Sequence, residues 1–340
     1  MPDGIDIKIT AAGAQKAEAD LKKVARAEEG VRKAAKKRRR PRSPIPWFGG
    51  KGRMVANLLP LLPPCLRYVE PFGGGASILF AREPAELEVY NDLDEGLVNF
   101  FRVIADRETF GRFYRRVALL PYSRAIYDQC RREWASQTDP IPRAAMWYVV
   151  ARQSFSGRFA ASWGTTVTAS SRGRAESVAN WQSALDALPL VHARLSRVQI
   201  EQADWRRVLD RYDTPETLFY CDPPYPHASR DKSTRYAHEL TDADHEDLVE
   251  KLLAVVGMVC LSSYPGGAYR RLGEAGWHRT QWRTACYAAG RTRATGIQGA
   301  GSALRMQPRT EVLWRNPAAM KAMPPIHRVT KSPSNRVTDA

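Results

Sequence analysis

The chain has 340 residues, enough for one large domain or two modest ones around a substantial core. Its 44% hydrophobic and 26% charged residues describe a soluble globular protein, and a net charge of +16 points to a polyanionic partner, nucleic acid before an acidic membrane surface. The longest apolar run, 252–261, falls short of the roughly 18–20 residues of a membrane span. No apolar signal core opens the sequence, and the five cysteines are scattered without a C-x-x-C pair. The expectation is therefore a cytoplasmic, reduced protein with no disulfide framework and no cysteine metal site.

Residues 1–43 carry 13 Lys/Arg against 6 acids, and eight of the eleven residues from 32 to 42 are basic. Leu21, Val24 and Val31 are almost the only apolar groups of the helix-compatible stretch 15–37, too few to bury a face. The segment reads as a mobile basic arm. Next comes Pro46-Trp-Phe-Gly-Gly-Lys51, ahead of a helical run over 54–62. Its glycine-to-lysine spacing is too short for a phosphate-cradling P-loop, which excludes a nucleotide triphosphatase.

A strand is expected at 67–70, running into Tyr68-Val-Glu-Pro-Phe-Gly-Gly-Gly-Ala-Ser77 and the start of a helix. Consecutive glycines between strand and helix let backbone approach a ligand where a Cβ would clash. A second strand at 87–90 ends near Asp92, eighteen residues past Gly74, a spacing that suits an acid accepting from ribose hydroxyls. That spacing alone also suits a nicotinamide-binding enzyme.

The stretch 102–197 is helix-rich, with 15 Arg, no Lys and 7 acids, and aromatics at Phe113, Tyr114, Tyr127, Trp134, Trp147 and Tyr148. It reads as a second, smaller domain inserted between two strand–turn motifs. Within it, Gln153-Ser-Phe-Ser-Gly-Arg158 through Gly164 is either a plain surface loop or a nucleic-acid contact. Arg152 and Arg158 there suit a bidentate guanine contact or a phosphate contact equally.

Strands are expected at 198–201 and 217–221, the latter entering Asp222-Pro-Pro-Tyr225. Two prolines fix φ and remove two backbone donors, leaving carbonyls as acceptors. The Asp222 carboxylate beside a free carbonyl matches a planar amine with two N–H donors, and Tyr225 offers a ring for stacking on a flat base. A capping box at Thr241–Asp244 opens a helix with Leu248, Leu252 and Val255 on its apolar stripe. A strand at 258–263 ends beside Tyr264, which packs the sheet edge or walls the base pocket. Strands at 281–287 and 310–314 flank a polar stretch, 288–308, and 316–340 reads as a flexible tail. The six histidines show no metal spacing. Strands alternating with helices indicate an α/β protein with a mostly parallel sheet covered on both faces.

The three motifs, in this order, resemble the Dam-type DNA adenine-N6 methyltransferase family over roughly residues 44–315. The resemblance implies a Rossmann-like methyltransferase fold: an S-adenosylmethionine-binding catalytic domain made of 44–101 and 198–315, with 102–197 an inserted, helical, DNA target-recognition domain. It implies that Trp47, Gly49, Gly50 and Lys51 lie at the cofactor's methionine end. Glu70, Phe72, Gly74 and Ala76 would form the glycine turn, Asp92 would hold the ribose, and Asp204 would sit near the adenine. Asp222, Pro223, Pro224 and Tyr225 would hold a flipped target adenine in double-stranded DNA. Ala76 departs from the pattern, which often has a second glycine there. No metal is implied, the chain is expected to act as a monomer, and its host as a bacterium or phage. Rival readings are an RNA base methyltransferase and a non-catalytic nucleic-acid-binding protein of the same fold. The Arg-rich insertion favours DNA, and the intact Asp222–Tyr225 motif favours an enzyme.

Overall fold

Nine strands form among the described residues. They are β1 (Arg67–Glu70), β2 (Leu87–Asn91), β3 (Ser170–Ser171), β4 (Arg174–Ala175), β5 (Gln199–Glu201), β6 (Thr217–Cys221), β7 (Met258–Ser263), β8 (His278–Cys286) and β9 (Gln307–Arg315). The computed structural model describes residues 40–47, 49–167, 169–225, 239–286 and 307–324. Seven strands make one sheet in the order β5-β2-β1-β6-β7-β9-β8, while β3 and β4 form a separate hairpin. All neighbours in the sheet run parallel except β9, which is antiparallel to both β7 and β8. This is the Rossmann-like arrangement expected of the sequence. From β1 the chain moves outward to β2 on one side, and it later returns to the other side as β6. The carboxyl ends of β1 and β6 therefore flank the switch point where ligands bind in such sheets.

Every residue of β6 and β7 is buried. Buried parallel strands read as short continuous apolar runs, which is why these two were legible. Alternate side chains enter opposite layers. Val69, Val89, Phe219 and Val259 join α8 (Trp205–Tyr212) and α9 (Asp242–Ala254) on one face. Tyr68, Tyr90, Leu218 and Cys260 join the larger core on the other face. Helices α1 (Val55–Leu58), α2 (Ser77–Ala81), α3 (Glu95–Ala105), α4 (Arg107–Ala118), α5 (Arg124–Glu133), α6 (Pro140–Gln153) and α7 (Glu176–Leu195) contribute to that larger core.

The expected boundary at 102 falls inside α3. Phe100, Phe101 and Ile104 pack with Trp147, Tyr148 and Leu188 in the same cluster as the sheet's Tyr68 and Tyr90, so residues 102–197 share the sheet's core instead of enclosing one of their own. A buried ion cluster fastens the two. Arg194, in the last turn of α7, donates to both carboxylate oxygens of Glu88 on β2 and to the Leu79 carbonyl at 2.8 Å, and Arg82 reaches Glu88 at 3.2 Å.

Two expectations at the ends need revision. Arg40, inside the segment read as an arm, donates to the Ala81 carbonyl at 2.7 Å and pairs with Glu83; residues 1–39, including the stretch 15–37, lie outside the described residues. The expected flexible tail begins with an ordered helix, α11 (Pro317–Ala322), which follows α10 (Arg270–Glu274) in chain order. Asn316 caps it through the Ala319 N–H at 2.9 Å, accepts from the Val259 N–H at 3.0 Å and donates to the Gly257 carbonyl at 2.8 Å, while Ala319 and Met323 are buried. A six-residue helix is too short to show periodicity. Residues 325–340 and most of 288–308 lie outside the described residues; the end of that stretch belongs to β9. No helix among the described residues is long and apolar enough to cross a membrane.

Candidate active site

The carboxyl ends of β1, β2 and β6 open into one cavity of about 950 Å³, lined among others by Trp47, Lys51, the glycine turn, Asp92, Asp204, Asp222 and Tyr225. The glycine turn is held from below. A Cβ at Gly73 would sit 2.1 Å from the Tyr90 ring, and one at Gly74, whose φ is +47°, would sit 2.7 Å from the Trp47 indole nitrogen. Side chains there are excluded by neighbours as well as by backbone conformation. The Gly74 N–H donates to Asp92 Oδ2 at 2.8 Å, and its carbonyl accepts from the Tyr90 hydroxyl at 2.8 Å. Asp92 Oδ1 accepts from the Asp94 N–H at 2.9 Å, so this carboxylate ties the end of β2 to the turn. Ala76 takes φ +52°, the left-handed conformation that explains why glycine suits the position.

Glu70, at the end of β1, is buried. It accepts from the Tyr68 hydroxyl at 2.7 Å and from the Leu79 N–H at 2.8 Å, bracing the helix that follows the turn. Burial pushes its carboxyl up to about 8. Asn91 is a member that no motif revealed. Wholly buried, it donates to the carbonyls of Pro71 and Ala203 and accepts from the Ala203 N–H, at 2.9–3.0 Å, clamping two loops to the end of β2 at the cleft. A polar residue closing an apolar strand was its only sequence signal. Phe72 lies against Trp205, with ring centroids 5.9 Å apart.

Across the cleft, the Lys51 ammonium donates to Asp222 Oδ1 at 2.7 Å and to the Gly49 carbonyl at 3.2 Å, and stands 4.7 Å from the Tyr225 ring centroid. Lys51 thus meets the Asp-Pro-Pro-Tyr segment, a contact not expected from its assignment to the cofactor's methionine end. Burial raises the Asp222 carboxyl, against the opposing pull of Lys51. Burial alone would lower Lys51, but the charges of Asp222 and Glu311 outweigh it and leave the ammonium firmly protonated. The Tyr225 hydroxyl donates to Glu311 Oε2 at 2.8 Å, and its ring meets Tyr264 at 4.2 Å between centroids. Tyr264 therefore backs the Tyr225 ring.

Asp204 caps α8 through the Arg206 N–H at 2.8 Å and pairs with the Arg206 guanidinium at 3.2 Å; that guanidinium also reaches Asp244 at 2.9 Å and Asp247. The loop after α6 closes on itself, the Gly164 N–H donating to the Gln153 carbonyl at 2.7 Å and the Phe155 N–H to Ser162 at 2.8 Å. It carries Gly157, Arg158 and Phe159 to the cavity, and Phe159 packs on Trp147 at 5.3 Å between centroids. Arg152 does not line the cavity; it is half-buried and donates to the Asn180 carbonyl at 3.3 Å.

Comparison with known proteins gives two results. No curated protein matches the chain. A model of the D12 class N6 adenine-specific DNA methyltransferases matches residues 47–263, a stretch that runs from Trp47 through the glycine turn and Asp222–Tyr225 to the end of β7. The match covers most of the chain, and the chain belongs to the D12 class N6 adenine-specific DNA methyltransferase family.

Proposed function

We propose that the chain binds S-adenosylmethionine beside the glycine turn and methylates the N6 amine of an adenine swung out of double-stranded DNA into the pocket of Asp222, Pro223, Pro224 and Tyr225. The observation that carries this reading is that the bare glycine backbone and the half-buried Asp222 carboxylate open into the same cavity. The donor set suits an adenosyl cofactor. Gly73–Gly75 present backbone without side chains, Asp92 stands at the rim where ribose hydroxyls need an acceptor, and Phe72 with Trp205 makes an apolar wall near Asp204 for a flat adenine ring.

When bound, S-adenosylmethionine supplies a methyl group on a positively charged sulfur. The protein's task is to present a nitrogen to it. The adenine amine is a poor nucleophile because its lone pair is delocalised into the ring. The Asp222 carboxylate and the Pro223 carbonyl, accepting its two N–H groups, favour a pyramidal nitrogen whose lone pair points into the cleft. Tyr225 supplies the stacking face. This is positioning and electrostatic preorganisation. Lys51 opposes the effect of burial on Asp222 and so favours its ionised form before the base arrives. Turning the base out costs a few kcal/mol, offset by the Tyr225 ring and by phosphate contacts. Arg158, at the mouth of the cavity, is placed to touch the nucleic acid, while Arg152 ties α6 to α7 through the Asn180 carbonyl.

The test is transfer of labelled methyl from S-adenosylmethionine to duplex DNA, followed by hydrolysis to nucleosides and mapping of the modified positions. The label is expected in N6-methyladenine at one recurring sequence. Label in cytosine, or in structured RNA and not in duplex DNA, would overturn the reading.

A further inference from the structure

We propose that Glu311 is a positioning residue for methyl transfer, holding the Tyr225 ring at the angle at which a base stacks on it. The proposal rests on the reading of Asp222–Tyr225 as the base pocket. Glu311 lies on β9, outside the residues the family model matches.

The topology delivers it there. β9 runs antiparallel to β7, with Ser263 opposite Val312, so Glu311 comes level with the carboxyl end of β7, where Tyr264 follows. Side chains alternate along the strand: Val312 enters the core on the α8–α9 face, while Leu313 enters the other layer, which also holds Tyr220. Glu311 therefore projects on the Leu313 side, and its Oε2 accepts from the Tyr225 hydroxyl at 2.8 Å.

Tyr225 is 4% exposed and is gripped by Glu311 and Asp222 at the hydroxyl, by the Tyr264 ring at 4.2 Å and 50°, and by the Lys51 ammonium 4.7 Å from its centroid. Ring contacts alone leave a phenol free to rock about its Cβ–Cγ bond, whereas a hydrogen bond to a carboxylate at the far end fixes the ring plane. Burial, together with the negative charges of Asp222 and Glu311, holds the phenol well above its usual range, so Tyr225 remains the donor of this bond.

The experiment is a double-mutant cycle between Glu311→Ala and Tyr225→Phe on the full chain. It reads single-turnover methyl transfer, S-adenosylhomocysteine affinity, and the fluorescence of duplexes carrying 2-aminopurine at the adenine identified by mapping. Each single variant is expected to lose between about tenfold and a hundredfold in rate, the scale of a misplaced reacting group. Cofactor affinity is expected within about twofold of wild type, and the 2-aminopurine signal in the bound complex is expected to change. The double variant is expected to lose less than the product of the two single losses, because both changes delete the Tyr225–Glu311 bond, while Tyr225→Phe also removes the phenol's contact with Asp222 and Glu311→Ala the charge that acts on Lys51. Glu311→Gln, which keeps an acceptor, is expected to recover most of the rate. Wild-type turnover in Glu311→Ala or in Tyr225→Phe, or losses that multiply in the double variant, would overturn the proposal. Tyr225→Phe decides it even if Glu311→Ala fails to fold. Loss of the base-pocket reading itself shows differently, as methylation surviving Asp222→Ala.

Discussion

Lys51 and Asp222, 171 residues apart, meet at 2.7 Å with side chains 6% and 18% exposed, and so join the tryptophan–glycine–lysine turn to the Asp-Pro-Pro-Tyr segment. The pair is the electrostatic centre of the site. Glu70, Tyr220, Tyr225 and Glu311 also surround it, and Lys51 is the cation bonded to the carboxylate.

Replacing Lys51 with Met removes the charge that opposes the effect of burial on Asp222. The carboxyl should then hold its proton to higher pH, and a protonated Asp222 offers one fewer acceptor to the amine. Methyl transfer by Lys51→Met at neutral pH should fall on the order of 10²-fold. The acid limb of its pH–rate profile should move upward, so that activity partly returns in alkaline buffer. A uniform loss at every pH would mean that Lys51 acts on something other than the ionisation of Asp222.

Glu70 makes a prediction about stability. Its carboxyl is raised from 4.5 to about 8, so the folded state favours the neutral form. The contribution to stability is full below about 4.5, where folded and unfolded chains are both protonated. It declines as pH rises toward 8, because the unfolded chain ionises first. Glu70→Gln lacks this loss and can still accept from Tyr68 and Leu79. Thermal unfolding of both proteins across this range should show the variant gaining on wild type as pH rises. Parallel curves would contradict the assignment.

The fold was legible where neighbours in sequence are neighbours in space. The strand at 217–221 showed as an apolar run because both faces of β6 are buried. The capping box at Thr241 and Asp244 lies within four residues and forms as read, the Asp244 N–H donating to Thr241 Oγ1 at 3.1 Å. The motifs marked the lining of the cleft for the same reason. What tied them together was hidden. Glu311 is 86 residues from Tyr225, and its strand reads as any other apolar run. Asn91 ties two loops to β2 that only the fold brings together. That the aromatics of 102–197 pack on α3 and the sheet is a long-range event with no local signature.

Ala76 should tolerate glycine unusually well for a buried residue. Its left-handed φ of +52° costs an L-residue roughly 1–2 kcal/mol, which offsets the methyl group and backbone freedom that glycine forfeits. Ala144, buried within α6, has no such compensation, and Ala144→Gly should cost about 1 kcal/mol or more. Urea denaturation of the two variants should place Ala76→Gly within about 0.5 kcal/mol of wild type on that ledger of costs. Equal destabilisation of both would show that no strain is relieved at Ala76.

Asp92→Ala should weaken cofactor binding, because it removes the proposed ribose acceptor and releases the Gly74 and Asp94 N–H groups. A lost charged hydrogen bond of this kind is worth about 1.5–3 kcal/mol. Calorimetry with S-adenosylhomocysteine measures it directly. An unchanged Kd would take Asp92 out of the site.

The central claim is that Asp222 holds the reacting amine, and single-turnover transfer of labelled methyl to adenine-containing duplex DNA tests it most directly, with cofactor affinity measured on the same preparations. Asp222→Ala and Asp222→Asn should bind S-adenosylhomocysteine within a few-fold of wild type, because the carboxylate is needed where the transition state forms and little before it. Both should lose at least on the order of 10²–10³ in rate, the amide failing because it keeps the shape but brings an N–H₂ donor to face an N–H₂ donor. Transfer within a few-fold of wild type by either variant would contradict the account.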